Sequence, residues 1–264
     1  MSKSQTPTPA SQPHKRETVL SRFLPFLRGP ASTVSKGFCK EAFVDDLQTE
    51  HFAPHLQRIF RKIGMISTPN GVFGKLVSPF TSQAVTEARN GNPEIILREK
   101  EAKRHAMLRV ITDYKDSRIL GRLDGGNGRP LLELPDSVPV LLAFGRMDPS
   151  QKGFDSFARA IEFFPRGQAR FILAPDVGSG AEAFLADLAR VAEWFPGEVI
   201  VFPFRMQTGY KEIMGGASWV VMNSFYEPFG AASEAYLAGS PVVARRTGVL
   251  VQPDLEEALG RDSG

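Results

Sequence analysis

The sequence predicts an α/β fold with a doubly wound parallel sheet and helices on both of its faces. Two observations favour this class. Strand-like and helix-like apolar segments alternate between residues 138 and 244, which is typical of repeated strand–helix–strand units. Hydrophobic residues make up 42% of the 264 residues, which is enough to form a core over most of the length. The N-terminal half lacks this alternation, and we expect it to be mostly helical.

The chain begins with a segment of low complexity. Residues 1–13 are rich in Ser, Thr, Gln and Pro, and such a composition buries too little apolar surface to fold. We therefore predict a disordered lead over 1–32, within which the apolar stretch 19–27 is a candidate short helix.

Residues 33–130 form the second predicted unit. Apolar side chains recur at helical spacing over 40–62, with an interruption near Pro54, and again over 93–114. A Gly-rich loop is expected at 121–130. This unit should therefore be largely helical and should lead into the sheet.

The third unit, 131–264, carries the alternation of strands and helices. The predicted strands are 138–144, 169–174, 199–202, 217–222 and 241–244, and the predicted helices are 154–164, 181–194 and 230–237. A weak helical stretch at 255–259 follows, without the helices that normally close such a sheet. We therefore expect this unit to be truncated at its C-terminus.

Bulk composition argues against several classes of function. Lys and Arg total 32 and Asp and Glu total 29, so the net charge is only +3, and the mixed signs do not form the basic stripe of a nucleic-acid-binding protein. The longest apolar runs are far below the ~20 residues that span a bilayer. The single cysteine, Cys39, excludes an internal disulfide and favours a reducing compartment. The cysteine usage and the lack of an apolar secretory signal predict a cytoplasmic protein. The charge pattern and the short apolar runs predict that it binds neither nucleic acid nor membrane.

The first candidate site is the loop Gly145-Arg-Met-Asp-Pro-Ser-Gln-Lys-Gly-Phe-Asp155, between a predicted strand and a predicted helix. Ligands of doubly wound folds bind at the carboxyl ends of strands. Arg146 offers two parallel donors and Lys152 a point charge, which together suit a diphosphate. An ordinary loop with solvated charges explains the same residues about equally well.

The second candidate is Ser224-Phe-Tyr-Glu-Pro-Phe-Gly-Ala-Ala-Ser-Glu234. Glu227 lies on a Pro-Gly turn before a predicted helix, where it can accept hydrogen bonds from sugar hydroxyls. Gly230 is expected to begin that helix, and its amide and those of Ala231 and Ala232 should point at an anion. Glu234, seven residues on, could share a helix face with Glu227, although a mid-helix glutamate is more often solvated.

A third candidate, Arg245-Arg-Thr-Gly248, follows the last predicted strand. It could close over a ligand, or it could be a basic surface loop. No metal site is predicted: His51 and His55 are spaced four residues apart, but no carboxylate or cysteine of the usual metal-binding pattern accompanies them.

Four segments together resemble the C-terminal half of the bacterial glycogen synthase and plant starch synthase family: Gly145-Arg146 with Lys152-Gly-Phe-Asp155, Ile213-Met-Gly-Gly-Ala-Ser218, Ser224-Phe-Tyr-Glu-Pro-Phe-Gly230 and Arg245-Arg-Thr-Gly248. The resemblance covers about residues 138–252. It implies a retaining glycosyltransferase of the GT-B fold, in which a Rossmann-like C-terminal domain holds the sugar nucleotide against an N-terminal domain.

The resemblance also implies roles for individual residues. Arg146 and Lys152 would bind the donor diphosphate and steady the departing nucleoside diphosphate. Glu227 would hold hydroxyls of the donor sugar. The residues that would place the sugar, phosphate and nucleobase are Phe229, Gly230, Ala231, Tyr210, Thr247 and Gly248. The chain departs from the family pattern at Val249, where a glycine is usual, and at Glu234, which lies one position before the second acid of the wider superfamily.

Three functions follow from these observations. The first is transfer of glucose from ADP-glucose or UDP-glucose to an α-glucan, without a cofactor, with this chain as the donor-binding part and a separate chain as a candidate source of the N-terminal domain. The second is a non-catalytic nucleotide-sugar-binding remnant or regulatory module. The third is another GT-B enzyme, such as a sugar-nucleotide epimerase or a cell-wall glycosyltransferase.

Overall fold

The computed structural model describes residues 19–34, 37, 39, 54–68, 78–148, 151–178, 184–225, 227 and 230–245. The described secondary structure begins with α1 (Val19–Phe23), within the segment assigned above to the lead; residues 1–18 lie outside the described residues. A 3-10 turn follows at Leu24–Phe26.

A small parallel sheet pairs β1 (Ala31–Thr33) with β2 (Met65–Ser67). The helix α2 (Pro54–Ile63) precedes β2. It begins at the proline where the helical pattern of the sequence is interrupted, because the first turn of a helix tolerates a residue without an N–H.

Among the described residues, six strands form one larger sheet. In chain order they are β3 (Leu120–Leu123), β4 (Val140–Arg146), β5 (Arg170–Asp176), β6 (Glu198–Val201), β7 (Trp219–Met222) and β8 (Val242–Ala244). Their order across the sheet is β3-β6-β5-β4-β7-β8. Strands β4 to β8 are parallel, whereas β3 runs antiparallel to β6. The predicted α/β class with a mainly parallel sheet is therefore confirmed.

The strand β3 corrects the prediction of a Gly-rich loop over 121–130. Gly121 pairs with Ile200 and Leu123 with Glu198 in the antiparallel ladder. Gly121 has a φ of +71°, and a Cβ there would lie 2.4 Å from the carbonyl oxygen of Val199. The glycine therefore serves a close strand contact, while the loop proper begins after Leu123.

Within the described residues, six helices follow the small sheet: α3 (Ser82–Arg89), α4 (Glu94–Asp113), α5 (Phe154–Ile161), α6 (Leu185–Trp194), α7 (Tyr210–Gly216) and α8 (Ala231–Ala238). Helices α4, α5, α6 and α8 confirm the predicted helices within a few residues, and the predicted strands agree equally well. Helices α3 and α7 were not predicted.

The sheet has a hydrophobic core on each face. Alternate residues of β4 belong to the two different cores. Val140, Leu142 and Phe144 pack with α4, α7 and α8, whereas Ala143 packs with α5 and α6. This division follows from the two-residue period of a strand. Helices therefore cover both faces, and the ends of the strands are left for loops.

Helices α4 and α7 cross closely on the first face. A Cβ at Gly216 would lie 2.4 Å from Cβ of Met107 and 2.6 Å from the carbonyl oxygen of Lys103. The Gly-Gly pair at the end of α7 is thus explained by helix packing. None of the helices in the described part of the chain combines the length and apolar character that a bilayer crossing requires.

Candidate active site

A cavity of about 840 Å³ lies at the carboxyl ends of β4 and β5. The loops that follow β4, β6 and β7 contribute to its walls, as do the first turns of α7 and α8. Its charged lining residues are Arg146, Lys152, Asp176, Arg205, Lys211, Glu212, Glu227 and Glu234. The strand ends of a doubly wound sheet are where such folds bind ligands.

The loop after β4 brings Arg146 and Lys152 to this cavity. Arg146 is the exposed last residue of β4, and its guanidinium donates to Oε1 of Gln151 at 3.1 Å. The amide of Lys152 donates to the carbonyl of Asp148 at 2.7 Å, which turns the chain back. Lys152 is buried, at 8% exposure. The structure therefore places both predicted cations at one cavity, one exposed and one enclosed.

Gly153 allows this loop to lie against β7. It has a φ of +56° and precedes α5, and a Cβ there would lie 2.5 Å from the carbonyl oxygen of Asn223. The side-chain amide of Asn223 donates in turn to the carbonyl of Lys152 at 2.5 Å. The loops after β4 and β7 are therefore in close contact, and this contact leaves no room for a side chain at position 153.

Lys152 and Glu227 form an ion pair inside the cavity wall. Nζ of Lys152 lies 2.5 Å from Oε2 of Glu227, and the two side chains are 9% and 3% exposed. The hydroxyl of Ser224 donates to the same oxygen at 2.9 Å. Buried charges are tolerated when they are paired and hydrogen-bonded. The predicted phosphate-binding cation and the predicted sugar-binding acid are therefore in direct contact.

The N-terminus of α8 faces the cavity beside this pair. Gly230 precedes the helix with a φ of +108°, and the helix begins at Ala231, one residue later than predicted. The first amides of a helix have no intrahelical acceptor and carry a partial positive charge. Ala231 lines the cavity, so this helix end can contribute to anion binding.

Glu227 precedes α8, as predicted, and Glu234 lies on the helix, so the two acids do not share a helix face as they could have done by spacing. Both nevertheless line the same cavity. Partial desolvation raises the pKa of the Glu234 carboxyl above its ordinary value. The sequence offered Glu234 as a weaker candidate than Glu227, because a mid-helix glutamate is more often solvated, and the structure places it at the cavity.

Tyr210 begins α7 and lines the cavity. Its ring packs edge-on against Phe144, with 5.7 Å between ring centroids. Burial, and to a lesser extent the charge of Glu234, hold the pKa of its phenol well above the ordinary value. The hydroxyl is therefore neutral at physiological pH and can donate a hydrogen bond.

The loop after β6 adds residues that were not predicted. Arg205 and Gln207 from this loop, with Lys211 and Glu212 from α7, line the same cavity. The rule that drew attention to the loops after β4 and β7, namely that strand ends form ligand sites, applies equally to 203–209. Using it there would have identified these residues.

The remaining predicted residues either lie away from the cavity or lie outside the described residues. Arg245 is exposed after β8 and is not among the residues lining the cavity. Phe229, Thr247 and Gly248 lie outside the described residues, as does His51.

One group of side chains away from the cavity resembles a cation site. Ligating atoms of Glu101, His105 and Asp136 lie within 4.8 Å of one another, and all three residues are exposed. The guanidinium of Arg104 lies 3.5 Å from Asp136, however. This positive charge opposes a bound cation, so the group supports no metal assignment.

Comparisons with known proteins identify relatives of this chain. Residues 138–258 match the family model described as "Glycosyl transferases group 1". The chain is 32% identical over 123 residues to glycogen synthase of Desulfatibacillum aliphaticivorans, covering 44% of this chain and 24% of that protein. It is 25% identical over 234 residues to granule-bound starch synthase 1 of Pisum sativum, covering 88% of this chain and 34% of that one.

A solved structure shares the fold. The catalytic domain of starch synthase IV from Arabidopsis thaliana, bound to ADP and acarbose, aligns with a TM-score of 0.59 at 18% identity and covers 88% of this chain and 42% of that chain. The chain thus spans less than half the length of each of these relatives.

Proposed function

We propose, because residues 138–258 match the family model for glycosyl transferases group 1, that this chain is the donor-binding part of a glycogen/starch-synthase-like retaining glycosyltransferase. Its donor is ADP-glucose or UDP-glucose and its acceptor is an α-glucan. The glucose is transferred without a cofactor.

One observation carries the proposal. Arg146 and Lys152 come from the segment after β4, and Glu227 and the N-terminus of α8 come from the segment after β7, yet all four line one cavity at the strand ends. A nucleotide sugar presents a diphosphate and a polyhydroxylated ring side by side. Cations with a helix N-terminus suit the first, and a carboxylate acceptor suits the second.

In this proposal the diphosphate lies between Arg146 and the first turn of α8. Negative charge grows on it as the bond to the sugar breaks, and donors that already contact the bound diphosphate stabilise that charge. The exposed Arg146 can swing onto phosphate oxygens, whereas the enclosed Lys152 is held by Glu227. Arg146 supplies directional hydrogen bonds and Lys152 supplies nearby charge.

The same arrangement ties sugar recognition to phosphate recognition. Glu227 accepts from Lys152 through Oε2, so a sugar hydroxyl bound to this carboxylate is placed at a set distance from the ammonium. Tyr210 and the loop after β6 also line the cavity, and we assign the nucleoside to them. The acceptor glucan and the cytoplasmic location remain predictions from the sequence.

The decisive experiment separates donor binding from transfer. Calorimetry of the purified chain with ADP-glucose and UDP-glucose should give binding to one donor that Arg146→Ala weakens. Arg109→Ala, which removes an exposed arginine of α4 away from the cavity, is the control and should bind as the unmodified chain does. If the unmodified chain binds neither donor, the proposal is wrong.

Transfer is tested by incorporation of labelled glucose into glucan by this chain together with a chain that carries the N-terminal domain. If glucose is incorporated and Arg146→Ala abolishes the incorporation, the result supports the proposed transferase activity. Binding without incorporation supports the alternative of a nucleotide-sugar-binding module. Conversion of the donor to another sugar nucleotide points instead to an epimerase.

A further inference from the structure

Ser224 is a buried residue next to the site that the donor-binding proposal does not use. It is 3% exposed, and its hydroxyl donates to Oε2 of Glu227 at 2.9 Å. Nζ of Lys152 reaches the same oxygen at 2.5 Å. Within the described part of the chain, both side-chain donors to this carboxylate therefore meet one of its two oxygens.

The serine hydroxyl is itself held in place through the backbone on either side of it. The side-chain amide of Asn223 donates to the carbonyl of Lys152 at 2.5 Å, and the amide of Phe225 donates to the carbonyl of Gln151 at 2.7 Å. Residues 223–225 are thus tied to the loop that carries Lys152. The position of the hydroxyl relative to the ammonium follows from these two contacts.

A glutamate side chain has three torsions, and a single contact to a flexible lysine would leave its carboxylate free to turn. A second donor on the same oxygen restricts that rotation. Held in this way, the carboxylate presents its other oxygen, Oε1, in a repeatable direction. Such preorganisation strengthens binding because less conformational freedom is lost when the ligand arrives.

We propose that Ser224 is a positioning residue, which fixes Oε2 of Glu227 against Lys152 so that Oε1 accepts a hydroxyl of the donor sugar. The inference rests on the proposed function, because it requires a sugar nucleotide in the cavity. It makes Ser224 a determinant of sugar affinity and leaves the nucleoside diphosphate affinity to other residues.

The test compares each nucleoside diphosphate with its glucose conjugate by calorimetry, using ADP with ADP-glucose and UDP with UDP-glucose. The added affinity of the conjugate measures the sugar contact. Ser224→Ala should reduce the affinity for the conjugate by up to about tenfold, which is less than the full effect of a hydrogen bond to a charged group, because Lys152 still holds Oε2. The affinity for the diphosphate alone should change less than twofold, and Ser224→Thr, which keeps a hydroxyl, should restore most of the sugar contribution.

Ser240→Ala is the matched control. Ser240 is equally buried, at 2% exposure, but its hydroxyl donates to the carbonyl of Met214, away from the cavity. This variant should lower the unfolding temperature and leave the ratio of the two affinities unchanged.

An unchanged ratio of the two affinities in Ser224→Ala would overturn the inference without contradicting donor binding by the unmodified chain. This covers the case in which both affinities stay as they are and the case in which both fall by the same factor, which is the signature of a merely structural serine. If the unmodified chain binds neither ADP, UDP nor their conjugates, the proposed function fails and the inference fails with it.

Discussion

The ammonium of Lys152 and the carboxylate of Glu227 form an ion pair across 75 residues of sequence, with 2.5 Å between Nζ and Oε2. Both side chains are almost fully enclosed. Removing one partner of such a pair leaves an uncompensated buried charge, which typically costs about 3–5 kcal/mol. The pair therefore links the stability of the β4–α5 loop to that of the β7–α8 loop.

A double-mutant cycle tests this link. Lys152→Met and Glu227→Gln should each lower the free energy of unfolding in urea, and the double variant should lose clearly less than the sum. The control is the half-exposed pair of Arg190 and Glu162, at 2.9 Å, where the coupling should be only about 0–1 kcal/mol. Additive losses at Lys152 and Glu227 would contradict the interpretation.

Arg146→Ala should separate ligand binding from stability. The side chain is exposed, so the free energy of unfolding should change by no more than about 0.5 kcal/mol. Donor affinity measured by calorimetry should fall at least about tenfold, since hydrogen bonds to a charged partner are lost. Arg146→Lys should recover only part of it, because an ammonium lacks the planar fork of donors. Full recovery would argue that charge alone matters.

Gly153→Ala should be much more destabilising than Gly167→Ala. Both glycines have positive φ, +56° and +81°, so both variants incur backbone strain of about 1–2 kcal/mol. Only at Gly153 would the new Cβ also meet a backbone oxygen, that of Asn223 at 2.5 Å; at Gly167 nothing lies within 4 Å. Urea unfolding of the two variants measures the difference. Equal losses of unfolding free energy in the two variants would show that the loops after β4 and β7 separate easily.

Lys100 should make stability depend on pH in the alkaline range. Its ammonium donates to the carbonyls of Gly215 and Gly239 and to the hydroxyl of Ser240. Burial, and then the charge of Lys103, lower its pKa to about 8 from 10.5. Between these two values the unfolded chain binds more protons than the folded chain, so the free energy of unfolding should rise with pH across this interval.

Unfolding in urea at several values between pH 7 and 10.5 checks this, with Lys100→Met as the reference that lacks the titration. The difference in the free energy of unfolding between the unmodified chain and Lys100→Met should be constant below about pH 8. Above that pH it should change in favour of the unmodified chain. Lys103→Met should move the start of that interval to higher pH. A difference that is flat throughout would contradict the lowered pKa.

Tyr210 is predicted to act through its ring. Tyr210→Phe keeps the edge-on contact with Phe144 and should bind ADP or UDP almost as the unmodified chain does. Tyr210→Ala removes the ring and should weaken nucleoside diphosphate binding, while the sugar contribution at Glu227 remains. Calorimetry with the diphosphates decides this. If Tyr210→Phe lost as much affinity for the diphosphates as Tyr210→Ala, the neutral hydroxyl and not the ring would be responsible for binding.

The sheet and its covering helices were accessible from the sequence because continuous apolar runs mark buried parallel strands. The antiparallel strand β3 was missed, since Gly121 and the glycines that follow look like a loop until the neighbouring strand β6 is known. Helix α7 was missed for a related reason: Gly215-Gly216 reads as a helix breaker, and only the close approach of Met107 explains it.

The site was only partly accessible in the same way. Arg146, Lys152 and Glu227 stand out because they follow strands in turns. Their mutual distances depend on the sheet order, which places β7 beside β4 although β5 and β6 come between them in sequence. The sequence alone therefore does not predict the ion pair of Lys152 with Glu227, nor the position of Glu234 at the cavity.

Helix α4 has a consequence for where the folding unit of this domain starts. Its residues Met107, Leu108 and Ile111 are at most 6% exposed and belong to the core on one face of the sheet. A fragment starting at residue 131, where the sheet-bearing segment begins in sequence, would expose that core and aggregate. The smallest autonomous fragment must include α4, and Thr81, whose hydroxyl and amide donate to Glu99 of α4, places its practical N-terminal limit before α3.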